Sequence, residues 1–289
     1  MISFSDIRHF PEYLIIRLLI MILRCFPERC TIVLLKVLFY FLGYVCGIRK
    51  RVVFRQLRLV FPEKNEIEIK TLAKAIYAEL AVTVAEVFIF SDKYLYSKSE
   101  IVGIENVVNA LSHGNGMLLV SGHFSNWELG AKVTAKEFEP ILGVVKRVNN
   151  RFLNIYIDTV RRDSKIITIN SNNALKYIVA ALKKNKIVAI LMDQYAIKQG
   201  VEMEFLGHMT KTYTSVAQIA IKYKTPVVFG FDVRDSDGNH KVYYHEPLVL
   251  DLELTDENVL KVTKALNERL EEYILKYPHL WFWVHRKWR

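Results

Sequence analysis

The stretch LLVSGHFSNWELG, residues 118–130, runs as an apolar strand and then sets His123, Asn126 and Glu128 within a few positions of its exit. His123 and Glu128 stand five residues apart, across a tight turn into a helix capped by Ser125 or Asn126, so their side chains can touch. A neutral imidazole in that place can take the proton of a substrate hydroxyl as the oxygen attacks a carbonyl. A carboxylate on the other ring nitrogen fixes the tautomer and stabilises the imidazolium that forms. No G-x-S-x-G accompanies the pair, so no serine elbow supplies a nucleophile and the acceptor itself must attack. The spacing alone also fits a histidine at a helix cap beside a solvated glutamate.

The elements that must position these groups show in the periodicity. Short apolar runs at 117–122, 140–145, 165–169, 187–193 and 226–231 alternate with helical stretches near 126–137, 150–163, 173–185, 213–224 and 256–276. That alternation predicts an α/β fold with a mostly parallel sheet flanked by helices. Ligands of such sheets collect at the carboxyl ends of strands, and His123 and Asp193 both fall at strand exits. Residues 61–90 read as a helix with Pro62 near its start and Leu72, Ile76, Leu80, Val84 and Val87 along an apolar stripe. Glu86 falls near that stripe and reads as a solvated or capped carboxylate. His240 and His245 fall in a stretch that reads as a hairpin and His279 and His285 in the terminal segment, neither pair at metal-ligand spacing. The terminal WFWVHRKWR reads as an element packing its aromatic side on the core, or as aromatics and cations at a bilayer interface.

The 289 residues, 52% hydrophobic, can bury one large core, which excludes a disordered chain. The net charge of +10 is unevenly placed: residues 1–60 hold ten Lys/Arg against three Asp/Glu. The same segment carries two apolar runs, 13–26 and 31–48, broken at Pro27 and followed by Arg49, Lys50 and Arg51. It reads as a membrane anchor, spanning or lying in the plane, ahead of an α/β domain at 61–289. The basic residues after the second run place that domain on the cytoplasmic side. A cleaved secretory signal is the rival, but no small-residue cleavage site follows. Concentration of charge in the anchor argues against nucleic-acid binding. The three cysteines, Cys25, Cys30 and Cys46, form no paired framework.

The block SGHFSNWE resembles the His-x4-acid signature of the glycerolipid acyltransferases, and specifically of the late acyltransferases of lipid A biosynthesis. KRVNN (146–150) with the Arg161–Arg162 helix end, MDQ (192–194), VEMEFLG (201–207) and PHLWFWVHRKW (278–288) are similar, in order and approximate spacing, to further blocks of that branch. Lys146-Arg147-Val148 lacks the branch's aromatic before the arginine and proline after it, and Met203-Glu204 replaces its Val-Pro.

The resemblance implies a membrane-bound O-acyltransferase of the bacterial inner membrane. The donor would be an acyl carrier protein or CoA thioester, the acceptor a hydroxyl of a lipid A precursor. His123 would be the base and Glu128 its orienter, with Asn126, Arg147, Arg161 and Asp193 holding substrate. Because a thioester is already activated, neither metal nor other cofactor is called for. A lysophospholipid or phosphoinositide mannoside is the alternative acceptor. A basic, membrane-tethered binding protein without catalysis is the non-enzymatic alternative.

Overall fold

The computed structural model describes residues 4–138, 140–197 and 200–289. Its strands are β1 (Ser99–Val102), β2 (Met117–Ser121), β3 (Ile141–Val145), β4 (Ile166–Asn170), β5 (Ile187–Leu191), β6 (Val201–Phe205), β7 (His208–Thr212), β8 (Val227–Arg234) and β9 (His240–Tyr244). The main sheet has the order β1-β9-β8-β2-β5-β3-β4. From β8 to β4 all neighbours are parallel; β9 returns antiparallel to β8, and β1 lies parallel to β9. The α/β expectation with a mostly parallel sheet therefore holds. The five apolar runs form its parallel part, and His240 begins the returning strand of a hairpin that ends one residue before His245.

Parallel neighbours need crossovers, and helices supply them: α6 (Ile104–Ser112) before β2, α7 (Trp127–Phe138) and α8 (Arg151–Asp163) on either side of β3, and α9 (Ala174–Leu182) before β5. Strand alternation divides the core. Leu118, Val120 and Val188 face one side and pack with Ile178 of α9, Val216 of α10 (Ser215–Tyr223) and Leu266 and Leu270 of α11 (Asp256–Lys276). Met117, Leu119 and Ile187 face the other and pack with Val107 of α6 and Leu129 and Val133 of α7. Helices thus cover both faces, which is why β2 is buried along nearly its whole length.

The ribbon β6–β7 stands apart from this sheet. Its two-residue turn, Leu206–Gly207, has φ of 50° and 77°, the left-handed pair that matches strand twist in a tight hairpin.

The N-terminal part folds as α1 (Phe4–Leu23), α2 (Glu28–Phe39), a π-helical turn (Tyr40–Val45) and α3 (Lys50–Val60). Among the described residues no single helix is long and apolar enough to cross a membrane. Glu28–Val45 and Lys50–Val60 pass only as a pair bent by 82°. Gly43 lets the π-helical turn lie against Tyr77, since a Cβ there would sit 2.2 Å from that ring. α3 itself buries Val53 and Leu57 in the main core. The helix expected at 61–90 is α4 (Glu66–Phe88), and the short α5 (Asp92–Ser97) follows it. α4 begins after Pro62 because Asn65 caps it, accepting from the Ile67 and Glu68 amides while Glu68 accepts from the Asn65 amide. Much of its expected core stripe (Leu80, Val84, Val87) lines a cavity instead, while Ile69, Ala73 and Ile76 fill the core.

The C-terminal segment is stapled to α3 by Gln56, a fully buried side chain. Its amide donates to the Trp283 and His285 carbonyls (2.8 and 2.9 Å) and accepts from the Lys287 amide (2.8 Å). The terminal aromatics pack inward, with Trp281, Trp283 and Trp288 all buried. Gln56→Leu keeps the volume but strands three buried backbone groups, each costing about 1–3 kcal/mol when unpaired. Thermal unfolding of this variant is expected to begin several degrees lower; an unchanged midpoint would show that the staple carries no stability.

Candidate active site

β2 and β5 are hydrogen-bonded in a register that sets Ser121 opposite Leu191, so the two chains leave the sheet side by side. His123 and Asp193 each lie two residues past that pair. Asp193 takes three donors: the His123 ring through Nδ1 (2.7 Å), the His123 amide (2.9 Å) and the Trp281 indole N–H (2.9 Å). The Asp193 side chain is fully buried and that of His123 is 17% exposed. Burial alone would raise the Asp193 carboxyl, but the His123 charge and these bonds prevail and hold it far below the usual carboxylate range. With Nδ1 committed to Asp193, Nε2 carries the lone pair available to a substrate proton.

The carboxylate that meets the His123 ring is therefore Asp193, where Glu128 was expected. Glu128 sits on the first turn of α7 and faces α8, where Arg161 grips it with both Nε (3.0 Å) and Nη2 (2.5 Å). Burial opposes ionisation of Glu128, yet the Arg161 bonds and charge outweigh it and its pKa is lowered. An acidic side chain within reach of a guanidinium takes the bidentate, charge-assisted pair in preference to a single bond with an imidazole.

The other expected site residues divide. Arg161 and Glu128 line the same cavity as His123. Asn126, expected to hold substrate, is fully buried and spent internally. Its Oδ1 caps α7 by accepting from the Leu129 amide (2.9 Å), and its Nδ2 donates to Glu86 (2.9 Å). Arg147 lies on an exposed stretch after β3, outside the residues that line the cavity. Glu86 is not solvated; it is 3% exposed and paired with Arg234 and His240.

That cavity is apolar and about 480 Å³, within the range of small-ligand sites. α4 supplies Leu80, Val84 and Val87, the π-helical turn Leu42 and Gly43, and α8 Ile157 and Val160, with His123, Trp127, Glu128 and Arg161 also on its wall. A smaller apolar void of about 80 Å³ between α7 and the sheet shares Trp127, Glu128 and Arg161 with it. The pair Glu128–Arg161 thus brings a fixed cation to the wall of a greasy space that also holds an oriented imidazole.

The C-terminal segment completes the site, where its sequence read as an element on the core or at a bilayer interface. Phe282 donates its amide to the His123 carbonyl (2.9 Å), Ser125 donates its amide to the Leu280 carbonyl (2.8 Å), and the Phe282 ring leans on His123 at 5.7 Å between centroids. Gly122 lets the His123 turn pass close to α11, since a Cβ there would meet a Leu270 methyl at 2.8 Å. Trp281 left no sequence signal beyond its presence in the terminal block.

The chain matches the bacterial lipid A biosynthesis acyltransferase family over residues 2–289. It belongs to that family. It is 25% identical to the lipid A biosynthesis lauroyltransferase of Escherichia coli over 83% of this chain and 79% of the relative, and 23% identical to the palmitoleoyltransferase of the same organism over the same shares. A phosphatidylinositol mannoside acyltransferase of Mycolicibacterium smegmatis is 22% identical over 65% of this chain and 62% of its own. Among solved structures, the 1-acyl-sn-glycerophosphate acyltransferase of Thermotoga maritima superposes with a TM-score of 0.40 at 15% identity, over 86% of this chain and 99% of that one. The expectation of an O-acyltransferase working between an acyl donor and a lipid acceptor holds.

Two further basic groups are buried beside the site. Neither ring nitrogen of His285 nor Nζ of Lys287 has a hydrogen-bond partner among the described residues. Burial pushes His285 down to about 4 and Lys287 down to about 8. A depressed histidine pKa leaves its stability contribution intact above the unfolded value near 6.5 and removes it as pH falls toward 4. Urea unfolding is expected to show stability falling between pH 6.5 and pH 4.5, and His285→Phe to flatten that limb. Equal slopes in the two proteins would show that His285 is not held neutral.

Proposed function

We propose that the protein transfers a fatty acyl chain from an acyl thioester, carried by acyl carrier protein or CoA, to a hydroxyl of a lipid A precursor. The observation that carries this reading is His123, clamped by Asp193, opening on a 480 Å³ apolar cavity whose wall also holds Arg161. The acyl chain lies in that cavity, its thioester carbonyl near His123. Nε2 takes the proton of the acceptor hydroxyl as its oxygen attacks the carbonyl carbon, and Asp193 balances the imidazolium. The tetrahedral intermediate collapses with loss of the thiolate, which recovers the proton from His123. Arg161, kept in place by Glu128, is the cation suited to an acceptor or donor phosphate, or to the developing oxyanion.

The site belongs at a bilayer surface, in this reading the cytoplasmic face of a bacterial inner membrane. Support comes from the apolar side chains exposed along α1, α2 and the π-helical turn, among them Ile15, Leu18, Met21, Val33, Val37 and Phe41. Leu42 and Gly43 of that turn also line the cavity, so a lipid held by this face has a short path to His123. Residues up to about 48 would then be the embedded part, with α3 belonging to the catalytic body. The relatives acting on lipid A favour that acceptor over a phosphoinositide mannoside.

Purified protein offered acyl carrier protein and CoA thioesters, each with a lipid A precursor, a lysophospholipid and a phosphoinositide mannoside, is expected to acylate the lipid A precursor, read by mass spectrometry. His123→Ala is expected to lower turnover at least about a hundredfold with the fold intact. Normal turnover in that variant would remove the base assignment, and transfer only to another lipid would replace the acceptor.

A further inference from the structure

The turn that carries His123 is held in an unfavourable conformation from three sides. Ser125, two residues on, has a φ of 47°, in the left-handed region that a non-glycine residue occupies at a cost. Every polar group of Ser125 is tied to a different element. Its amide donates to Leu280 of the C-terminal segment (2.8 Å), its carbonyl accepts from Thr83 of α4 (3.3 Å), and its hydroxyl donates to Asp232 of β8 (2.7 Å).

Asp232 is the centre of this anchorage. It is 2% exposed, and the same Oδ2 that takes the Ser125 hydroxyl also takes the Asn126 amide (2.9 Å). A buried carboxylate needs compensating charge, and His240 supplies it: Nδ1 faces Asp232 (2.9 Å) and Nε2 faces Glu86 (3.2 Å). Burial works against a charged His240, but its bonds to Asp232 and Glu86 prevail and push it up to about 9. Arg234 closes the cluster, bonded to Glu86 (2.5 Å) and to Glu79. Glu86 returns to the turn by accepting from Asn126 Nδ2 (2.9 Å). Two cations and three carboxylates, none of which lines the 480 Å³ cavity, thus converge on Ser125 and Asn126, immediately between His123 and Glu128.

We propose that Asp232 and Ser125 are positioning residues, which, backed by His240, Glu86 and Arg234, hold the His123 turn in its strained conformation so that Nε2 meets the acceptor hydroxyl. This rests on the reading of His123 as the base. The cluster lines no part of the 480 Å³ cavity that His123 faces, Asp232 reaching only the 80 Å³ void between α7 and the sheet, so it acts on the reaction through the placement of His123 and of the α7 start that carries Glu128.

The test is steady-state kinetics of acyl transfer on full-length Ser125→Ala, Ser125→Gly and Asp232→Asn, normalised to folded protein by circular dichroism. Loss of placement is expected to lower kcat about tenfold or more with the donor KM within about twofold, because misplacing a reacting group by a full ångström can cost about a hundredfold in rate. Ser125→Gly, which tolerates the positive φ without the hydroxyl, should lie between wild type and Ser125→Ala. Wild-type kcat in folded Ser125→Ala would overturn the proposal even where Asp232→Asn fails to fold, and so would a lowered melting temperature with kcat unchanged in all three. Turnover retained by His123→Ala would instead strike the base assignment on which the proposal rests.

Discussion

One constraint organises this protein: a carboxylate sealed from water at the end of β5 must be given donors, and the nearest are those of the turn that leaves β2. Asp193 satisfies it by binding the ring and the amide of His123 together, with the Trp281 indole as third donor. Ring orientation, tautomer and backbone position of His123 are thereby set by a single group. The register of two parallel strands brings the two residues together, and the helices on both sheet faces exist, in energetic terms, to keep that register buried.

The remainder of the site is built outward from this bond. The C-terminal segment reaches across the turn as a strap, and Gln56 on α3 fixes the strap. α7, capped by Asn126, carries Glu128 away from His123 and toward α8, where it immobilises Arg161. The result separates two tasks that one acidic residue cannot serve at once. In the proposed mechanism Asp193 tunes the base, and Glu128 holds a cation at the cavity wall.

Much of the scaffold was legible in the chain because it rests on local pattern. Apolar runs of five to seven residues between helical stretches became β2, β3, β4, β5 and the first part of β8 almost position for position. The site was less so, since its contacts are distant in sequence. His123 lies 70 residues from Asp193, and Glu128 lies 33 from Arg161. A five-residue spacing made Glu128 the natural partner of His123, and only the fold shows a guanidinium competing for it. Polarity likewise misled at Asn126 and Glu86. Both looked available to substrate or solvent, yet both are consumed by a buried network whose other members, Asp232, Arg234 and His240, come from the far hairpin. The edge strand β1 and the short helix α6 escaped notice, being brief and weakly patterned.

The central claim is that Asp193, not Glu128, sustains the imidazolium. The measurement that tests it most directly is single-turnover acyl transfer by Asp193→Asn beside Glu128→Gln, each with saturating donor. The account predicts that Asp193→Asn, isosteric but uncharged, loses on the order of a thousandfold or more in the chemical step. Glu128→Gln should act chiefly by releasing Arg161 and weakening substrate binding. A near-normal chemical step in Asp193→Asn, with the step abolished in Glu128→Gln, would contradict it.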